Sequence, residues 1–287
     1  MSSESIFFTS NDGLRLHARC YGVRENPALP VVCLPGLTRT AADFETLAER
    51  LSAAGRRVVA LDYRGRGLSA YDPNPANYTV GVELGDVLTV LDALDVRSAI
   101  FIGTSRGGIL TMMLAAVRPQ AIAAAVLNDI GPVIELSGLL RIKGYVGRLP
   151  APGDYPDAAR LLRDVFAAQF PNLGDEDWLA AACRAFRQED GRLVPTYDVK
   201  IADTLKDVSP ETRVAGLWPQ FDALAQVPVM AIRGSLSDLL STETLEAMKT
   251  RHPGMRIVEV ANQGHAPMLQ DETTVAAIER FVNAVQS

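Results

Sequence analysis

Several common chemistries are poorly provided for in this chain. Its 287 residues include only three cysteines, Cys20, Cys33 and Cys183, odd in number and widely scattered. Such a set offers neither a disulfide framework nor metal-ligand spacing, and it suits a reducing compartment. Basic residues are outnumbered, 28 Lys and Arg against 34 Asp and Glu, for a net charge of −6. Without a basic stripe to neutralise phosphates, nucleic acid is an improbable partner. No apolar run is long enough to span a bilayer. The opening stretch, Met1 to Ser5, lacks the basic and apolar segments of a secretory leader. Repeats and low-complexity tracts are missing as well. A cytoplasmic globular enzyme or binding protein is the expectation.

What the chain does have is alternation. Short buried-type runs at 31–34, 57–61, 99–102, 123–127, 227–233 and 255–260 read as strands. Between them lie stretches with helical apolar spacing, such as Leu84, Val87, Leu88, Leu91 and Leu94. This order predicts an α/β fold, a mostly parallel sheet with helices on both faces. The alternation breaks over 133–218, where helical runs (Leu161, Leu162, Val165 and Phe166; Trp178, Leu179, Ala182 and Phe186) are punctuated by Pro150, Pro152 and Pro156. The expected organisation is a core of 1–132 and 219–287, with a helical cap at 133–218 inserted after the sixth strand.

One pentapeptide stands at a strand-to-helix junction: Gly103-Thr104-Ser105-Arg106-Gly107. A G-x-S-x-G in that position is a nucleophile elbow, a turn so tight that flanking glycines are needed and the serine is lifted clear of the sheet. Only three histidines can serve as its base. His17 lies in a stretch expected to place it on a strand surface, and His252 closes a helix before Pro253-Gly254. His265 follows a strand in the loop Asn262-Gln263-Gly264-His265, where α/β sheets put their chemistry. The acid should fall between serine and histidine, again after a strand. Asp238, in Gly234-Ser235-Leu236-Ser237-Asp238, is the expected residue; Asp129, in Asn128-Asp129-Ile130-Gly131, is the alternative. Backbone N–H groups of Arg106 and Leu37, the latter after Pro35-Gly36, are expected to form an oxyanion hole.

With these residues in view, the chain resembles the α/β-hydrolase superfamily. The likeness rests on Leu34-Pro35-Gly36, Asp62-Tyr63-Arg64-Gly65-Arg66-Gly67-Leu68-Ser69, the elbow through Gly108, Asp238 and Gly264-His265, and covers nearly all the chain outside the middle third. Two departures stand out: Pro35 replaces a histidine common in relatives, and Arg106 replaces Met, Gln or Leu. Ser105 excludes relatives with an aspartate nucleophile. The resemblance implies hydrolysis of a small carboxylic ester or lactone through an acyl-enzyme, with neither metal nor organic cofactor. Trp218 and Met268 are the expected pocket residues. Alternatives left open are a carbon–carbon bond hydrolase of the meta-cleavage type, a cofactor-free perhydrolase or haloperoxidase-like enzyme, and a non-catalytic ligand receptor. A dinucleotide reading of Gly65-Arg66-Gly67-Leu68-Ser69-Ala70 fails because Pro73 and Pro75 forbid the helix that fingerprint must open.

Overall fold

Eight strands of one sheet carry the fold, described for residues 3–24 and 26–285 of a computed structural model. Met1 and Ser2, part of the stretch read for a leader, lie outside the described residues. The strands are β1 (Glu4–Thr9), β2 (Arg15–Tyr21), β3 (Val31–Leu34), β4 (Val58–Asp62), β5 (Ala99–Thr104) and β6 (Ile122–Asn128), then, after an insertion, β9 (Val229–Gly234) and β10 (Arg256–Val260). Their order across the sheet is β1-β2-β4-β3-β5-β6-β9-β10. Antiparallel pairing is confined to β1 with β2 and β2 with β4; every other neighbour is parallel.

Strand side chains alternate between two cores. Val32, Leu34, Val59, Leu61 and Phe101 join one, with α2 (Val80–Ala93) and α3 (Arg106–Val117) packed on it. Val31, Cys33, Val58, Ala60, Ile100 and Ile102 join the other, covered by α1 (Glu45–Ala53) and α9 (Glu272–Ala284). Both faces are therefore dry, which is why these strands read as continuous apolar runs. Among the described residues no helix is long and apolar enough to cross a membrane.

Between β6 and β9 the chain leaves the sheet. It forms α4 (Leu136–Tyr145), α5 (Tyr155–Phe166) and α6 (Asp175–Ala185), and Asp154 caps α5 by accepting from the Asp157 N–H. The expectation of helices alone needs correction. Phe186 does not continue α6 but opens a hairpin, β7 (Phe186–Glu189) with β8 (Arg192–Pro195), turned at Asp190-Gly191 with positive φ at both residues. Ala158, Leu162, Phe170, Trp178, Ala182, Phe186 and Leu193 give the insertion its own apolar cluster.

The motif at 62–69 is a hub of buried polar groups, not a nucleotide loop. Arg64 is buried and bonds Asp72 at 2.6 Å, Asp86 at 2.6 Å and Asp12 at 2.8 Å. His17 corrects a second expectation: it is fully buried, with Nδ1 2.6 Å from Asp62 Oδ2 and Nε2 3.0 Å from Ser5 Oγ. Strand pairing explains this, because His17 lies opposite Asp62 where β2 meets β4. His252 follows α8 (Thr242–Arg251), and its Nε2 lies 2.9 Å from the Val227 carbonyl.

The elbow depends on contact between backbones. A Cβ at Gly107 would collide with the Leu34 carbonyl on β3, and one at Gly103 would collide with the Gly107 backbone. Neither obstacle is a flexible side chain. Gly107→Ala should therefore destabilise the protein by about 1–3 kcal/mol, as overpacking does, seen as a lower urea midpoint. An unchanged midpoint would show that α3 can move away from β3.

Candidate active site

Register brings the candidate residues together. Thr104 of β5 pairs with Asn128 of β6, so the next residues, Ser105 and Asp129, emerge side by side at the carboxyl edge. Ser105 has φ 50° and ψ −111°, and Asp129 has φ 54°. Non-glycine residues held at positive φ cost about 1–3 kcal/mol each, so the surrounding structure must impose them. Ser105 N–H donates to the Asn128 carbonyl at 3.0 Å, while the Ser105 carbonyl accepts from Gly108 and Ile109 N–H. Asp129 N–H donates to the Ile232 carbonyl of β9 at 2.7 Å.

His265 bridges the two strand tips. Its Nε2 is 2.8 Å from Ser105 Oγ, and its Nδ1 is 2.8 Å from Asp129 Oδ2. A carboxylate only accepts, so Nδ1 carries the proton and Nε2 presents a lone pair to the serine hydroxyl. The Asp129 carboxylate is fully buried and accepts from Gly234 N–H at 2.8 Å and from Ser237 Oγ at 2.6 Å. Those donors fix its plane toward the imidazole.

Asp238 is not the partner of His265, contrary to the expectation. It lies four residues beyond the end of β9 and forms a two-pronged ion pair with Arg141 of α4, Nη2 to Oδ1 at 2.8 Å. Burial would raise its carboxyl pKa, but the Arg141 hydrogen bonds and charge hold it below the ordinary value. The Asp238 carbonyl also accepts from Gly138 N–H and Ser137 Oγ, both at 3.1 Å. This loop thus ties the insertion to the sheet, while Asp129 at the strand tip meets the histidine.

Three residues that support this geometry were not anticipated from the sequence. Asn128 Nδ2 donates to Thr104 Oγ1 at 3.0 Å and to the Pro267 carbonyl at 2.9 Å, joining both strand tips to the histidine loop. Gln169, between α5 and α6, accepts from His265 N–H through Oε1 at 2.9 Å and from Gly264 N–H through its carbonyl at 2.7 Å. Ser237 supports Asp129. A polar residue directly after a strand, beside a small or amide residue, was the only available signal for Asn128 and Asp129; Gln169 carries none.

Pro35-Gly36-Leu37 passes beside the serine: a Cβ at Gly36 would lie 3.8 Å from Ser105 Cβ. The Gly36 carbonyl accepts from Arg39 N–H at 3.1 Å, which turns the opposite edge of that trans peptide, the Leu37 N–H, the other way. Arg106 N–H heads α3, where first-turn donors have no helical acceptor. A buried ion network joins these two positions. Glu83 accepts from Arg106 Nε at 2.7 Å and pairs with Arg66 Nη1 at 2.8 Å, and Arg66 Nε donates to the Leu37 carbonyl at 2.8 Å. Burial opposes Glu83 ionisation, yet the two guanidiniums hold its pKa below the ordinary value. Tyr63 adds a hydrogen bond to the Pro35 carbonyl at 3.2 Å.

Above the serine lies a cleft shared by core and insertion. Ile142, Leu162, Phe166, Phe170 and Trp178 face Ser105, His265, Leu37 and Met268 across it, with Arg39 and Asp43 also on its wall. Met268 is where the sequence led one to look. Trp218 is elsewhere: it packs edge-on against Phe221, with the Arg251 guanidinium 4.4 Å from its ring. Its place at the start of α7 (Trp218–Asp222), which packs against α3, explains the difference.

Known proteins give this geometry a context. The family model described as "Alpha/beta hydrolase family" matches residues 31–278. A 3-hydroxybutyrate-oligomer hydrolase of Cupriavidus necator is 34% identical over 275 residues, covering 93% of each chain. A rhodomycin D methylesterase of a Streptomyces species is 28% identical, covering 90% of this chain and 92% of its own. The crystal structure of an alpha/beta hydrolase from Novosphingobium aromaticivorans superposes with a TM-score of 0.92 at 41% identity, covering 98% of both chains. Sheet order, matched span and relatives agree, and the chain belongs to the alpha/beta hydrolase family and is a hydrolase.

Proposed function

We propose that this protein hydrolyses a small carboxylic ester through Ser105, His265 and Asp129. The reading rests on one observation: a continuous relay, 2.8 Å from hydroxyl to imidazole and 2.8 Å from imidazole to a buried carboxylate, at the floor of a largely apolar cleft. In that relay His265 Nε2 takes the hydroxyl proton as Ser105 Oγ attacks the ester carbonyl carbon. Asp129 keeps the imidazole in the required tautomer and stabilises the imidazolium. The carbonyl oxygen becomes an oxyanion that accepts from Arg106 and Leu37 N–H. Collapse breaks the carbon–alkoxy bond, and His265 returns the proton to the departing alcohol. Water then attacks the acyl-enzyme with His265 again as base, releasing the acid and restoring the serine.

The relatives' names support the ester class, a 3-hydroxybutyrate-oligomer hydrolase and a methylesterase among them. Residues 133–218 act as a lid in this reading: they supply the apolar wall opposite the nucleophile and clamp the histidine loop through Gln169. The Glu83 network holds both oxyanion donors from behind, so it positions the hole without touching substrate.

A panel of para-nitrophenyl esters tests the assignment. Ser105→Ala should lower kcat by about a million-fold and Asp129→Asn by about ten-thousand-fold. Asp238→Asn should cost no more than about tenfold, because it breaks a partly exposed pair. A large loss in Asp238→Asn with little in Asp129→Asn would reverse the choice of acid. Full activity in Ser105→Ala would end the mechanism. Glu83→Ala leaves Arg66 and Arg106 unpaired in the interior and should destabilise by about 3–5 kcal/mol in urea unfolding. The milder Glu83→Gln should lower kcat with KM little changed, as expected when only transition-state contacts loosen.

A further inference from the structure

Around Asp43, which lies on the cleft wall, charge is unbalanced in a way the proposed chemistry does not use. Arg39 follows the Pro35–Thr38 loop and binds Asp43 through Nε and Nη2, the latter at 3.0 Å; its Nη1 has no hydrogen bond to the described residues. Arg184, near the end of α6, approaches the same carboxylate only to 3.7 Å. Its guanidinium makes no hydrogen bond to the described residues; the buried Nε, the atom nearest Asp43, stands beyond hydrogen-bond distance of it. Yet the side chain is only 17% exposed. Two guanidiniums thus share one carboxylate. The other acid near Arg184, Glu45, is mostly exposed and lies 3.8 Å from Arg19. Tyr145, also on the cleft wall, is kept neutral because burial raises its phenol pKa.

A cation in the last turn of a helix is favoured by the helix dipole, but that does not require burying it. A nearly buried arginine with unspent donors calls for an acceptor. Burial pulls the Arg184 guanidinium below its ordinary pKa, and Asp43 offsets only part of that. Ala181, one helical turn before Arg184 on the same face of α6, lines the cleft. The nucleophile is close by: a Cβ at Gly36 would be 3.2 Å from Arg39 Cγ and 3.8 Å from Ser105 Cβ. Arg39 and Asp43 thus share one cleft with the nucleophile.

We infer that Arg39 and Arg184 form a carboxylate subsite, and that the preferred substrate is a short ester bearing a free carboxylate near the scissile bond. The inference rests on the esterase reading for its chemistry and on the unspent guanidinium donors for its selectivity. A half-ester of a short dicarboxylic acid would present the anion on the acyl side. An acylated 3-hydroxy acid would present it on the alcohol side. Guanidinium groups suit either, since their planar donors match a carboxylate edge.

Matched substrate pairs test this. One is mono-para-nitrophenyl glutarate against its terminal carboxamide; the other is O-acetyl-3-hydroxybutyrate against its carboxamide. In at least one pair kcat/KM should favour the anion by about tenfold or more, the scale of one charge-assisted hydrogen bond. The pair showing the preference identifies the side that carries the carboxylate. Arg184→Gln should lower that ratio by about tenfold, and Asp43→Asn, which removes the competing anion, should raise it. Partial unfolding would depress both members of a pair alike and leave the ratio unchanged. Ratios near one in both pairs, or a ratio indifferent to Arg184→Gln, would overturn the subsite. Calorimetry of glutarate against glutaramide with Ser105→Ala gives a readout free of turnover. Selective glutarate binding by a protein that hydrolyses none of these esters would sink the esterase reading and leave the subsite standing. Equal binding of the two would remove the subsite whatever the turnover.

Discussion

The parallel pairing of β5 with β6 is the constraint on which the site depends. Because Thr104 and Asn128 are partners, the residues that follow them must leave the sheet at the same height and within reach of one imidazole. A slip of one residue would turn every side chain on β6 to the other face and carry Asp129 away from Ser105. The two apolar cores prevent that slip, since Ala125 and Leu127 belong to one and Ala124 and Val126 to the other. Packing far beneath the serine therefore sets the distance between hydroxyl and carboxylate.

Around that fixed pair the chain spends its buried polar groups on positioning. Asn128 ties the strand tips to the loop carrying His265, and Gln169 reaches down from the insertion to the same loop. Glu83, Arg66 and Arg106 link the turn at Gly36-Leu37 to the start of α3. Each of these groups bonds a partner on a different element, so together they resist independent movement of the loops. Arg39 lines the cleft, and Arg184 stands beside it, 3.7 Å from Asp43 of the cleft wall. Both share the single Asp43 carboxylate, and the inferred carboxylate subsite rests on that sharing.

The two candidate acids show how a local reading reaches its limit. Asp238 and Asp129 each follow a strand, and both stand between Ser105 and His265 in the chain. Nothing within either segment says how far its loop travels before the aspartate appears. Asp129 follows its strand directly, whereas Asp238 is four residues out and meets Arg141, a residue nearly a hundred positions earlier. His17 makes the same point. Its strand was legible, but its burial against Asp62 arises from antiparallel pairing between elements 45 residues apart. Trp218 looked suited to an apolar pocket, yet it packs between Phe221 and the Arg251 guanidinium.

By itself the sequence determined the alternating α/β order, the strand–turn–helix at Gly103–Gly107, and the placing of Ser105 and His265 in turns that follow strands. Those features are written in local spacing: apolar runs bounded by turns, glycines where backbones touch, and one histidine in a loop after a strand. Tertiary structure alone decided which carboxylate meets that histidine, that the insertion includes a hairpin, and which arginines share the Asp43 carboxylate. Each depends on partners from segments far apart in the chain, and local spacing does not encode which distant groups will meet.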